Sequence, residues 1–153
     1  MIVLFTCLIT LQFLVIALHD LINIPGLVRG AQVQSVLGRR KVLLATAVNS
    51  IFPGVAVAFA LYFWNKPKPH YVPNYWMIYC AVALGSAIAM WYVPYLRGTN
   101  EKDAREYLRM YAGTRQVLPP RGDNPRPNLF HIGIHALFVV NFGLALALRF
   151  RNL

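Results

Sequence analysis

Residues 42–63 read VLLATAVNSIFPGVAVAFALYF, a run with no charged side chain, bounded by Arg39-Arg40-Lys41 before it and by Lys66 and Lys68 after it. A helix needs about 20 apolar residues to cross the roughly 30 Å of bilayer hydrocarbon, and this run has that length. Three more runs of the same kind lie at about residues 2–22, 75–96 and 128–148. The expected fold is all-α: a four-transmembrane-helix bundle forming a single integral membrane domain over residues 1–153, since the short connections leave no room for a second core. Composition agrees. Of the side chains 58% are hydrophobic and only 13% are charged, where a soluble domain carries about 25%.

A net charge of +10 could point to nucleic acid, but its distribution points to a membrane. Arg29, Arg39, Arg40, Lys41, Arg97, Lys102, Arg105, Arg109, Arg115, Arg121 and Arg126 fall in the connections between spans 1 and 2 and between spans 3 and 4. Only Lys66, Lys68, Arg149 and Arg151 fall on the other side. Loops rich in Lys and Arg stay in the cytoplasm, which leaves the N- and C-termini outside. The expected location is a bacterial inner membrane. The expected partners are anionic headgroups against the basic face, with no role for nucleic acid. All five acidic residues, Asp20, Glu101, Asp103, Glu106 and Asp123, lie on that same face. Met1 leads straight into Ile2-Val3-Leu4-Phe5 without a basic segment, and no small-residue cleavage site follows Leu18, so the first run reads as a retained helix.

Each span carries polar or small residues in a pattern. Gln12, His19 and Asn23 share one face of span 1, flanked by Asp20. Unpaired polar groups are costly in hydrocarbon, so this stripe should meet protein or water, and Pro25-Gly26 should end the helix. Span 2 carries Thr46, Asn49 and Ser50 before Pro53-Gly54. The proline should kink the helix near mid-membrane, with Asn49 placed to take up a freed carbonyl. A break of this kind also suits the cavity of a small transporter. In span 3, Ala81, Gly85 and Ala89 form a small-xxx-small face that predicts close helix packing, within the bundle or between copies. Tyr62, Trp64, Tyr71, Tyr75, Trp76 and Tyr79 at one end, and Trp91, Tyr92 and Tyr95 at the other, read as interfacial belts. Cys7 and Cys80 sit at matching depths, which allows either a bridge or two packing residues.

Between spans 3 and 4, residues 100–112 predict one amphipathic interfacial helix. Asn100 can cap it, Ala104, Tyr107, Leu108 and Tyr111 recur at helical spacing, Glu101–Arg105 and Lys102–Glu106 are i,i+4 pairs, and Gly113 can stop it. Pro119, Pro120, Pro125 and Pro127 then impose an extended connector.

The strongest chemical constellation is His131-Ile132-Gly133-Ile134-His135 at the inner end of span 4, at the depth of His19 and Asp20. His19, His131 and His135 could hold haem b across a bundle core; Asp20, His131 and His135 could hold a divalent metal. A proton-responsive cluster is a second reading, and histidines bonded to backbone, Asn, Tyr or headgroups a third. The pair lacks the Glu of a zinc-protease helix, and no phosphate loop or nucleophile elbow occurs.

In size, charge and topology the chain is similar to the membrane glutathione and eicosanoid enzymes, which also have four spans, external termini and basic cytoplasmic loops, and pack as trimers. The family's Glu-Arg…Asn…Glu pattern has no counterpart here, because residues 42–63 contain no acidic residue. The reading favours a non-enzymatic role: a small polytopic assembly or accessory subunit that forms homo-oligomers or joins a larger membrane complex through Ala81, Gly85 and Ala89. The alternatives are the haem- or metal-binding redox subunit, a small transporter, or a glutathione- or lipid-conjugating membrane enzyme.

Overall fold

The computed structural model describes residues 1–151. The chain is mostly helical: α1 (Ile2–Leu18), α2 (Gly30–Leu37), α3 (Arg39–Tyr62), α4 (Tyr71–Ala87), α5 (Val93–Arg97), α6 (Glu101–Met110) and α7 (Leu129–Arg151). A π-helical turn over Ile88–Tyr92 joins α4 to α5 into one rod, Tyr71–Arg97. Among the described residues three helices are long and apolar enough to cross a membrane: Arg39–Tyr62, Tyr71–Arg97 and Leu129–Arg151. The shorter apolar α1 has 17 residues, about 26 Å at 1.5 Å per residue.

The four apolar helices close a ring. α1 packs between α3 and α7, and α4 packs between α7 and α3. At one end Phe5, Ile9, Ala56, Ala60, Val72 and Trp76 form a tight core, completed by Cys80 and Ala145. The alanines explain the close approach, because they add no bulk between helices. Trp76 is fully buried, 5.0 Å from the Phe5 ring, and donates its indole N–H to the Ala56 carbonyl at 3.1 Å. Trp76 and Tyr79 therefore belong to the core rather than to an interfacial belt, while Tyr62 and Tyr71 remain exposed. Both thiols are free: Cys80 is buried in this core and Cys7 faces outward from α1, so the bridge that their matching depths allow is not formed.

Mid-bundle polarity is paired across helices. Gln12 donates to the Tyr79 hydroxyl at 2.6 Å and accepts from Asn141 Nδ2 at 2.6 Å, tying α1, α4 and α7 together. Gln12 and Asn141 are fully buried. Sequence spacing marks Gln12 as inward-facing but gives no sign of its partners.

The first helix ends at Leu18, earlier than residue 22, because the chain turns into a small hairpin. β1 (Asn23–Ile24) pairs antiparallel with β2 (Val28–Arg29), with Ile24 opposite Val28. Pro25-Gly26 forms the corner: Leu27 N–H reaches the Ile24 carbonyl at 3.0 Å, and Gly26 has φ 73°. Proline followed by a left-handed glycine is the type II arrangement. Asn23 therefore leaves the α1 face, and its Oδ1 accepts from Ala31 N–H at 3.1 Å at the start of α2. Gly30 lies against the end of α1, where a Cβ would come within 2.6 Å of the Ile22 carbonyl oxygen and 2.8 Å of that of Asp20. The other spans run longer than their apolar cores, since Arg39 and Arg151 fit at the helix ends with their charges outside.

Gly30→Ala should destabilise the protein by about 1–3 kcal/mol, because only backbone can move to relieve the clash. Gly133→Ala, with open space at its Cβ, is the matched control. Thermal unfolding in detergent measures the difference; equal midpoints would contradict the close approach.

Candidate functional site at the basic end of the bundle

Asn128 organises this end. As the residue before α7, its Oδ1 accepts the backbone N–H of His131 at 3.0 Å, an N-cap bond, and also meets His131 Nδ1 at 2.8 Å. Its Nδ2 donates to Thr114 Oγ1 at 3.2 Å and to the Leu27 carbonyl at 3.4 Å. One buried side chain thus joins the hairpin, the connector and α7. Backbone bonds reinforce the junction: Arg115 N–H to the Gly26 carbonyl at 2.7 Å, Leu129 N–H to the Arg115 carbonyl at 2.8 Å, and the bridge Gln116–Asn128.

The Asn128 contact sets the His131 tautomer. Oδ1 can only accept, so Nδ1 carries the proton and Nε2 keeps its lone pair. The ring is enclosed by aromatic side chains. Trp91 lies 3.9 Å away between centroids, Tyr111 5.1 Å, His19 6.0 Å and His135 6.3 Å. His19 places Nδ1 at 3.0 Å from the Ile16 carbonyl and Nε2 at 3.3 Å from the Asp20 carboxylate. Both ring nitrogens of His19 thus face oxygen. His135 continues the line along α7, with Nδ1 3.3 Å from the Tyr92 hydroxyl. The π turn brings consecutive residues Trp91 and Tyr92 both against α7 histidines. Such turns recur at functional positions because they re-aim side chains within a helix.

The structure thus brings His19, Asp20, His131 and His135 to one end, as a packed aromatic and polar cluster. Among the described residues no group of three or more His, Cys, Asp or Glu side chains is disposed around a common metal position. Elsewhere, α3 stays one helix through buried Pro53, and Gly54 packs against the Phe13 ring. Asn49 does not cap the freed carbonyl; it is exposed and makes no hydrogen bond among the described residues. Ala81 and Gly85 on α4 and Ala89 in the π turn are all exposed, and nothing lies within 4 Å of a Cβ built at Gly85.

α6 covers the cluster from outside the spans. Asn100 Oδ1 caps it by accepting from Asp103 N–H at 2.9 Å, and Glu101 pairs with Arg105 at 3.1 Å. Ala104 and Tyr107 are buried, whereas Leu108 is exposed. The Tyr107 hydroxyl donates to the Arg126 carbonyl, and Gln32 Nε2 reaches the Arg109 carbonyl at 2.5 Å. Burial raises the Tyr111 phenol above its ordinary range, and the Asp20 carboxylate and Tyr107 raise it further. Burial also raises Tyr107, with Arg126 acting in the opposite direction.

Three residues of this site escaped sequence reading as partners: Trp91, Tyr92 and Tyr111. Trp91 and Tyr92 read as a membrane belt and Tyr111 as the apolar face of an interfacial helix, and only the π turn and the fold-back of α6 aim them at the histidines.

Asn128→Ala should cost about 3 kcal/mol, because it strands several buried partners at once, each worth about 1–3 kcal/mol; denaturation in detergent checks this, and a loss under about 1 kcal/mol would contradict the role given to Asn128. The raised phenols make stability pH-dependent. Unfolded tyrosine ionises near pH 10, while Tyr107 and Tyr111 stay neutral when folded. Their contribution is therefore complete below about pH 10 and declines as pH rises beyond it. Tyr111→Phe should flatten the alkaline fall of the melting temperature relative to wild type.

No protein-family model matches the chain, and no curated protein and no solved structure matches it.

Proposed function

We propose that this chain is a small integral membrane subunit that assembles, with copies of itself or within a larger membrane complex, through outward faces of α3 and α4. In this reading all four apolar helices span the bilayer, the basic end faces the cytoplasm, and both termini lie outside. The eleven-to-four distribution of Lys and Arg supports that orientation. Anionic headgroups would then meet the basic end.

The observation that carries the assembly reading is Asn49. Ten residues beyond Arg39, it lies about 15 Å into α3, near the bilayer centre. Its amide is exposed and unpartnered among the described residues. Hydrocarbon offers such a group no hydrogen bond, so a partner outside the chain is favoured. Thr46 and Ser50, within one turn, carry buried hydroxyls that also lack partners. On α4, Ser86 is exposed at a comparable depth, beside the exposed Ala81, Gly85 and Ala89. Small residues admit a second backbone, and a nearby hydroxyl or amide can bond across the contact.

Asn49→Leu and Gly85→Leu each change an exposed position, so the fold should survive. Native mass spectrometry from detergent should show a wild-type oligomer that shifts toward monomer in either variant. One interhelical hydrogen bond contributes about 1–2 kcal/mol at most, so Asn49→Leu alone should weaken association by roughly 5- to 30-fold. A wild-type monomer that also co-purifies with no partner subunit would refute assembly.

A further inference from the structure

A groove of about 420 Å³ runs between the α4 rod and α7 on the outside of the bundle. Leu84, Ile88, Ile132 and Val139 form its walls, and Ala136 leaves it open in the middle. Its one polar feature is the pair Tyr92 and His135, whose rings lie 5.4 Å apart. We propose that this groove is a binding site for a neutral amphiphile with a carbonyl or hydroxyl head, which enters sideways from the lipid and hydrogen-bonds to the Tyr92–His135 pair.

The lining chemistry selects this class. Among the described residues no charged side chain lines the groove, so an anion or a cation would lose its hydration without compensation. A purely apolar chain would leave the polar pair unused. Tyr92 and His135 share one hydrogen bond at 3.3 Å, and either direction of that bond leaves a donor over. If the phenol donates to Nδ1, the imidazole proton sits on Nε2. If Nδ1 donates, the phenol O–H is free. A carbonyl or hydroxyl oxygen can accept that remaining donor. Depth fits as well. Tyr92 lies five residues before Arg97, about 7.5 Å below the basic end of the rod, where the head of a weakly polar lipid sits while its tail extends along the groove. Two sources share this chemistry, a lipid-soluble quinone ring and a neutral glyceride. The site needs the helices to lie in lipid, but it does not need the assembly proposed above.

The test titrates detergent-purified protein with a decyl-substituted benzoquinone and, separately, with dioctanoylglycerol, and reads bound ligand by native mass spectrometry. One probe should bind saturably at one per chain, and the one that does identifies the source. Tyr92→Phe and His135→Gln should each weaken it on the order of tenfold, the effect of one lost hydrogen bond. Ala136→Leu, at an exposed position, should fill the groove and abolish binding, whereas Ala58→Leu on α3 should leave it intact. Gly85→Leu should also bind normally, which separates this site from the assembly face. The proposal is overturned if neither probe saturates, or if Ala136→Leu binds as wild type does, or if Tyr92→Phe and His135→Gln both bind without loss.

Discussion

The basic end of the molecule depends on the carboxamide of Asn128. It caps α7, sets the His131 tautomer, and holds both Thr114 and the hairpin carbonyl of Leu27. These partners come from segments far apart in sequence, and each is a polar group that needs a partner where water is scarce. A side chain with two donors and one double acceptor can meet all of them at once, while no apolar residue can meet any. The aromatic packing around His131 depends on it, because the bond holds the ring in the orientation against which Trp91 and Tyr111 pack. The proline-rich connector contributes by stiffness. It cannot form a helix, and it brings Asn128 back beside Gln116, next to Thr114 and Arg115.

Much of the architecture could be read from local patterns. Runs of apolar residues locate the long helices, and the Asn100–Asp103 pairing marks the start of α6. These features depend on residues within a turn or two of one another. The end of α1 could not be read this way. Leu21 and Ile22 continue the apolar run, yet the hairpin and the Gly30 contact draw the chain out of the helix after Leu18. The same limit explains Trp76, an anchor by composition, which becomes core through the Ala56 carbonyl on another helix. Among the candidate site residues, shared depth brought His19, Asp20, His131 and His135 to notice. What surrounds them was not legible, since the π turn over Ile88–Tyr92 follows from no short motif.

Polarity divides the bundle into levels. Near the termini the core is dry and tightly packed around Trp76 and the alanines. At the centre, Gln12, Tyr79 and Asn141 satisfy one another almost fully, though Asn141 Oδ1 has no partner among the described residues. Near the basic loops the polar and aromatic groups multiply. Buried pairs of this kind cost more to break than they contribute on formation, so they favour one alignment of helices over sliding alternatives. The exposed amide of Asn49 stands apart from this pattern, which is why the proposed assembly rests on it.

The order of helices around the ring has a consequence for biogenesis. α1 and α3 are successive long apolar helices, with only the hairpin and α2 between them, and pack together; α4 and α7, the next two, do the same. In the membrane placement proposed above, each pair is a helical hairpin that can form as soon as its second member has entered the bilayer. The contacts between the pairs, including the Asn141–Gln12 bond, form only when the two hairpins meet. The link between them, residues 63–70, lies at the end of the bundle away from the Asn128 junction. The chain is thus two insertable halves joined by a short tether. Two separately synthesised halves, cut at that tether, would still carry the side chains that bond across it, Gln12 on one and Asn141 on the other.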